Sequence, residues 1–518
     1  MTVPSLPGVT LSVEPPPALP DPLRTDVAAF LGRTTRGPVG VPVRVESLNE
    51  VLLACGAPDG TAEMPYALRG FFANGGRTAW VIRVAGPEAV AAAAEWTVGE
   101  TTAAGWAPGA PARGGFRHAA YRVVATSPGD WATNTRVSIR FRASSLAGRP
   151  VVSVRVTAPG EPAETFGELP PAEIAERVAV SRLIRLEPLG DPLPNGATAA
   201  TGPLSASWEV VLDGGENAPP RALDYAAAIE AQANLPEPAL VAMPDLGGDL
   251  TEAERDEAVL ALLGAVAPLH DRLAVLDPPP GASAEETLDW VRRLLDTGDP
   301  ELLGAAVAYH PGVLVPDPLG GVSRPLRAVP ASGHVLGLIA RLDGERGAHH
   351  TPANAVLLDA VDLRSQLPEP QQVRLFAEGS INLLRCAPGR GLLVWGGRTL
   401  SDRPGSRYIA HRRLLHLLVR AIRRVADPLV FDVNGPELRL ALVRGVTSVL
   451  LAAFRAGALA GSRAEQAFRV KCDGSNNPDD QDPGLVTCDI EVAPASPMEF
   501  IRLRLVLGQD RGLEVLEA

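Results

Sequence analysis

Residues 8–14, GVTLSVE, alternate along the chain, with Val9, Leu11 and Val13 on one side and Thr10, Ser12 and Glu14 on the other. A period of two predicts a β-strand. A proline-rich spacer, PPPALPDP at 15–22, follows and reads as a semi-extended tether. A lone strand cannot satisfy its own backbone donors and acceptors, so this one predicts pairing with a sheet edge, on its own chain or on a neighbour.

From 26 to 85 the pattern becomes α/β: DVAAFLGRT predicts a buried strand, SLNEVLLACG and MPYALRGFFANGG predict helices, and RTAWVIRVAG predicts another strand. Residues 86–120, rich in Ala, Gly and Pro, read as a loop or insertion. Alternation returns between 121 and 213: TRVSIRFR puts Val137, Ile139 and Phe141 on one face, VVSVRVT does the same with Val152, Val154 and Val156, and SASWEVVL closes the region. This pattern predicts a small antiparallel sandwich. Between 221 and 365 apolar runs such as PALVAMPD and RLAVLDPP alternate with helical stretches, one of them opened by Ser283 and Glu286 in capping-box spacing. Alternating strands and helices imply a mainly parallel sheet. The chain closes on EFIRLRLVLGQDRGLEVLEA, where Ile501, Leu503, Leu505 and Leu507 alternate with Arg502 and Arg504 before a turn and a last short strand.

The fold class expected is therefore a multidomain mixture of α/β and α+β. An inner α/β core is built from N- and C-terminal parts, with an inserted antiparallel β domain and strand arms at both tips. The divisions are 1–22 (strand arm and linker), 23–85 (first part of the core), 86–220 (insertion), 221–365 (α/β domain), 366–499 (C-terminal core domain) and 500–518 (C-terminal strand arm).

Composition then removes several functions. The net charge of −12 argues against a general nucleic-acid binder, whose footprint is basic. Aromatics at 4% leave little for base stacking. The single lysine, Lys471, precedes Cys472 rather than Ser or Thr, so there is no phosphate-binding P-loop. Cys55, Cys386, Cys472 and Cys488 form no CxxC pair and suit a reducing compartment, with a Cys472–Cys488 contact between adjacent strands as one option. The N-terminus has neither the basic region nor the apolar core of a secretory signal, and no apolar run approaches a membrane span. A cytoplasmic place of synthesis is expected, with no membrane insertion.

No motif builds a catalytic or metal site. PGRGLLVWGGRTL (388–400) has the glycines of a dinucleotide fingerprint but brackets a strand with them instead of opening a helix. It reads as a strand between tight turns. DGSNNPDDQDPG (473–484) has Pro478 and Gly484 where a calcium loop needs Gly and Glu, and reads as an acidic turn. The histidines do not cluster, and Ser332-Gly333-His334 is not a nucleophile elbow. No cofactor is expected. One feature stands out. RYIAHRRLLHLLVRAIRRV (407–425) predicts a helix on which Arg412, Arg413, His416, Arg420, Arg423 and Arg424 share an arc of about 120°, opposite Leu414, Leu418, Ile422 and Val425. Such a face reads either as solvated or as a docking surface for an acidic partner.

Several segments, taken in order, resemble the contractile tail sheath proteins of phages and contractile injection systems: PGVTLSVE with DVAAFLGRTTRGP, YALRGFFANGGRTAWVIRV, AYHPGVLVPDP, VPASGHVLGLIARLDGERG, INLLRCAPGRGLLVWGGRTLS, RYIAHRRL, AFRVKCDGSNNP and VAPASPMEFIRLRL. The resemblance covers 8–85 and 221–507 and is weak over 86–220, where such proteins carry variable insertions. It implies a structural subunit with no catalytic group. Subunits would polymerise helically around an inner tube, linked through terminal strands (Val9, Leu11, Val13; Ile501, Leu503, Leu505, Leu507), with baseplate and cap proteins as further partners. Assembly would take place in the cytoplasm, into a phage tail-like particle. On this resemblance the arginine face becomes a candidate for tube contact, and a helix over roughly 445–461 is its competitor. The alternatives are a hydrolase-like α/β enzyme and a non-contractile structural homologue.

Overall fold

The structure is a computed structural model and describes residues 23–96, 100–102, 115–117, 120–143, 150–170, 173–189, 205–247, 249–296, 298–478, 484–495, 501–508 and 512–517. Its centre is a nine-stranded sheet. The strands are β1 (Ala28–Gly32), β2 (Val43–Val45), β3 (Ala79–Arg83), β4 (Leu240–Ala242), β5 (Leu273–Leu276), β6 (Ala306–His310), β7 (Ala355–Val356), β8 (Asn382–Ala387) and β9 (Gly391–Trp395). Their spatial order is β7-β9-β8-β6-β5-β4-β1-β3-β2. The run from β8 to β3 is parallel, and antiparallel strands close both edges. Segments from both sides of the insertion thus enter one sheet.

The short apolar runs are explained by burial on both faces. On β1, Ala28 and Phe30 point into one core while Ala29 and Leu31 point into the other. One face is covered by α1 (Met64–Ala73) and α2 (Ser332–Arg346). The other is covered by the helices Ala226–Ala233, Glu252–Val266 and Ala284–Leu295. The last of these begins with the expected reciprocal cap: Ser283 accepts from the Glu286 backbone and donates its own N–H to the Glu286 carboxylate. The apolar stretch AAVAYHPGVLVPD forms two strands: β6 ends at His310, and Val313–Pro316 joins a separate three-stranded antiparallel sheet.

Helices α1 and α2 pack closely because α2 carries glycine where they cross. A Cβ at Gly333 would lie 2.2 Å from the Ala67 carbonyl oxygen, and one at Gly337 2.3 Å from that of Phe71. His334 stands between these glycines, 0% exposed, and burial pushes its pKa down to about 4. The folded chain therefore holds His334 neutral, while the unfolded chain takes up a proton below about 6.5. A depressed histidine pKa contributes stability that is present above the unfolded value and is lost as pH falls from about 6.5 toward 4. Between pH 7 and pH 5 the wild-type chain should lose about 2 kcal/mol more stability than His334→Gln. Urea midpoints of both proteins across that range test this, and parallel curves would contradict it.

The insertion is antiparallel, as expected. Strands Arg136–Ala143 and Pro150–Thr157 pair in a four-stranded sheet that shares a core with a three-stranded one. Val137, Ile139, Val152, Val154 and Val156 are all buried. Part of 86–120, the stretch expected as a loop or insertion, is strand: Ala93–Trp96 pairs in the insertion, and Trp96 stacks on Tyr121 at 5.6 Å.

The C-terminal part pairs α3 (Ile409–Ala426) with α4 (Pro436–Arg455) and backs them with a four-stranded antiparallel sheet. Its strands are β10 (Phe468–Lys471), β11 (Leu485–Val492), β12 (Ile501–Gly508) and β13 (Gly512–Glu517), in that order. Among the described residues no helix is long and apolar enough to cross a membrane.

Candidate functional site: a buried arginine joint and an exposed helix

The glycine motif that opens the question of chemistry is structural. Ala387 to Gly391 is a hairpin turn with Gly389 at φ 74°, and β9 ends at Gly396 with φ 122°. Both angles lie in the left-handed region that glycine adopts without strain. The backbone after Gly396 is then fixed by Asn382, whose side chain accepts from Arg398 N at 2.8 Å and donates to its carbonyl at 2.7 Å. In the 473–478 turn, polar side chains serve the turn itself: Asp473 accepts from Ser475, and Asn477 bridges the Thr487 N–H and carbonyl.

The arginine helix forms where periodicity places it, but the expected exposure of its basic face is corrected. Arg412, Arg413 and His416 are 4%, 3% and 3% exposed. Most of the face is turned into the α/β body. Arg413 grips the Asp343 carboxylate of α2 with both terminal nitrogens at 2.5 Å, and donates to the Thr25 carbonyl at 2.7 Å. The Thr25 hydroxyl adds a third hydrogen bond to Asp343 at 2.7 Å. Burial pushes the Asp343 carboxyl up, while Arg413 and Thr25 pull it back down. Arg420 donates to four carbonyls, those of Asp271, Arg24, Glu237 and Pro238. Burial lowers its pKa to about 10, which leaves it charged at neutral pH. Arg423 reaches the Leu269 carbonyl at 2.9 Å and the Asp271 carboxylate at 3.4 Å. His416 is held neutral, its pKa pushed well below the usual range by burial and by Arg412, Arg413 and Arg420 around it. Arg424 alone of the six is exposed.

This arrangement makes a joint. The guanidinium presents several donors in a rigid plane, which suits loop carbonyls that have no partner of their own. The joint ties α3 to the chain entry at 24–25, to α2 and to the loops before β4 and β5. Sequence reading had the helix and missed its partners, because every one of them lies at least 70 residues away.

The other side of α3, Leu414, Leu418 and Ile422, packs on Leu438, Leu442, Val446 and Leu450 of α4. The far side of α4 is left open. Leu440, Arg444, Ser448 and Ala452 recur every four residues and are exposed, as is Arg455. Phe431 and Val433, just before the helix, are 86% and 89% exposed. This helix is the competitor expected over 445–461, with its boundaries at Pro436–Arg455.

The two strand arms fare differently. Val9, Leu11 and Val13 lie outside the described residues. Ile501, Leu503, Leu505 and Leu507 lie on β12, whose backbone pairs with β11 on one side and β13 on the other within the same chain.

No family model and no curated protein matches the chain. Solved structures do. A chain of the anti-feeding prophage baseplate is 21% identical, with a TM-score of 0.55 over 96% of this chain and 98% of that one. The contracted sheath complex of PVC, an extracellular contractile injection system, is 15% identical with a TM-score of 0.52, covering 96% of both chains. A sheath tail protein of Listeria innocua is 11% identical with a TM-score of 0.64, covering 94% and 95%. The chain has the fold of the sheath proteins of contractile tails and injection systems.

Proposed function

We propose that this chain is the sheath subunit of a contractile phage tail-like injection system. It polymerises helically around an inner tube and, on contraction, drives the tube through a target envelope. What supports this reading is that the likeness to sheath proteins runs along nearly the whole length of both chains, insertion included. The protein performs no chemical step in this account. The work of contraction comes from subunit contacts that differ between the extended and contracted lattices.

Linkage falls to the terminal strands. The N-terminal strand with Val9, Leu11 and Val13 adds to a sheet of a neighbouring subunit, as in β-augmentation. The ladders that β12 makes within one chain are equally available between chains, because exchanging an identical element preserves its hydrogen bonds. Such contacts are heterologous and do not close on themselves, so the product is a helical polymer. The 15–22 spacer lets subunits reorient while pairing persists. Assembly takes place in the cytoplasm, with baseplate and cap proteins at the two ends.

The open face of α4 is the surface that meets the tube. The double reversal Arg444→Glu/Arg455→Glu, at two exposed positions, should leave the fold intact and cut tube-bound assembly roughly tenfold or more. Co-sedimentation with the tube protein measures this. Wild-type recovery of tube-bound sheath would remove α4 from the interface.

A further inference from the structure

We infer that Cys472 and Cys488 form a cross-strand thiol pair built to close into an intrachain disulfide at the end of the β10–β11 ladder. The register of β10 and β11 runs Phe468↔Val492, Arg469↔Glu491, Val470↔Ile490 and Lys471↔Asp489. Its next step sets Cys472 directly opposite Cys488. Opposed residues of an antiparallel pair have Cα atoms about 4.5–5.5 Å apart, inside the span of about 4.4–6.8 Å that a disulfide bridges. Both cysteines are free and buried in the same apolar cluster. Each thiol acts on the protonation of the other, drawing Cys472 down and pushing Cys488 up. The inference stands on this register and shared burial and is independent of the sheath reading.

The two sulfurs are not equivalent, which sets the order of events. The Cys472 thiol is shifted down by the neighbouring Cys488 thiol, by the positive charge of Arg439 and by the Asn477 amide, whose Nδ2 lies 4.0 Å from its sulfur. Cys488, fully buried, is shifted up. Cys472 is therefore the attacking thiolate. With a small disulfide such as oxidised glutathione, the Cys472 sulfur bonds to one sulfur of the reagent as the reagent's S–S bond breaks and one thiolate leaves. Cys488 then loses its proton to solvent and attacks the Cys472 sulfur, expelling the second small thiol. Two protein thiols become one disulfide, and one small disulfide becomes two thiols. Of the remaining cysteines, Cys55 is buried with its thiol pushed up to about 11, and Cys386 is exposed on β8.

Trypsin cleavage after Lys471 and Arg502 leaves both cysteines on one peptide, Cys472–Arg502, which makes the test direct. Native Cys386→Ser protein is incubated with oxidised glutathione, alkylated and digested. The expected peptide carries no alkyl group and is lighter by two hydrogens, and titratable thiols fall from three to one per chain, four cysteines less Cys386 and less the bridged pair. In Cys488→Ala the reaction should stop at a glutathione adduct on Cys472. The inference is overturned if the peptide returns with both cysteines alkylated under conditions that fully modify Cys386 in the wild-type chain. It is equally overturned if each cysteine carries its own glutathione.

Discussion

Deleting residues 1–20 should convert the protein from a pelletable polymer into a folded monomer. The deletion removes the alternating Val9, Leu11 and Val13 and most of the proline spacer, and leaves the described structure, which begins at residue 23, untouched. Every strand of the central sheet and every helix of both cores lies after that point. Circular dichroism and the urea midpoint should therefore match the full-length chain. Polymerisation should fall to background, because a helical lattice of heterologous contacts needs each subunit to hold its neighbours and one of the two links is gone. Sedimentation at matched concentration reads the outcome. Polymers of normal length from the truncated chain would mean that the arm is dispensable, and the linkage mechanism would fail.

The second large effect is on stability. Asp343→Ala should cost about 3–5 kcal/mol, the range for removing one partner of a buried ion pair. Arg413 and Asp343 have side chains 3% and 5% exposed, so no water replaces the lost carboxylate. The variant leaves a guanidinium in the interior with the Thr25 carbonyl as its remaining hydrogen-bond partner. The pair Asp343→Leu/Arg413→Met should recover most of the loss, since it removes the stranded charge together with its partner. Urea denaturation of the single and double variants measures both. A cost below about 1 kcal/mol for Asp343→Ala would place the pair in solvent and dismantle the joint.

The strands Arg136–Ala143 and Pro150–Thr157 are legible because buried and wetter positions alternate along them, so the period of two appears directly in the letters. The parallel strands were legible as short apolar runs because both their faces are covered. Ala93–Trp96 was not, since an Ala-rich segment has neither period. Periodicity places the arginine helix within two residues of its ends at Ile409 and Ala426, yet it puts the basic face on the outside. Hydropathy gives an arginine one meaning, and the carbonyls that receive Arg420 belong to residues 24, 237, 238 and 271. A signal was present nonetheless. With Arg412 at zero and about 100° per residue, the arginine arc runs to about 120°, and Leu415 and Val419 fall at about 300° and 340° beside it, so the apolar stripe is wider than one packed face requires. Both are buried, and the helix is enclosed on two sides.

Negative-stain electron microscopy of the chain, alone and again with its inner tube protein, decides whether it builds a sheath. Long hollow ribbed cylinders are expected, narrower around the tube than without it. Monodisperse globular particles under both conditions would contradict the sheath reading.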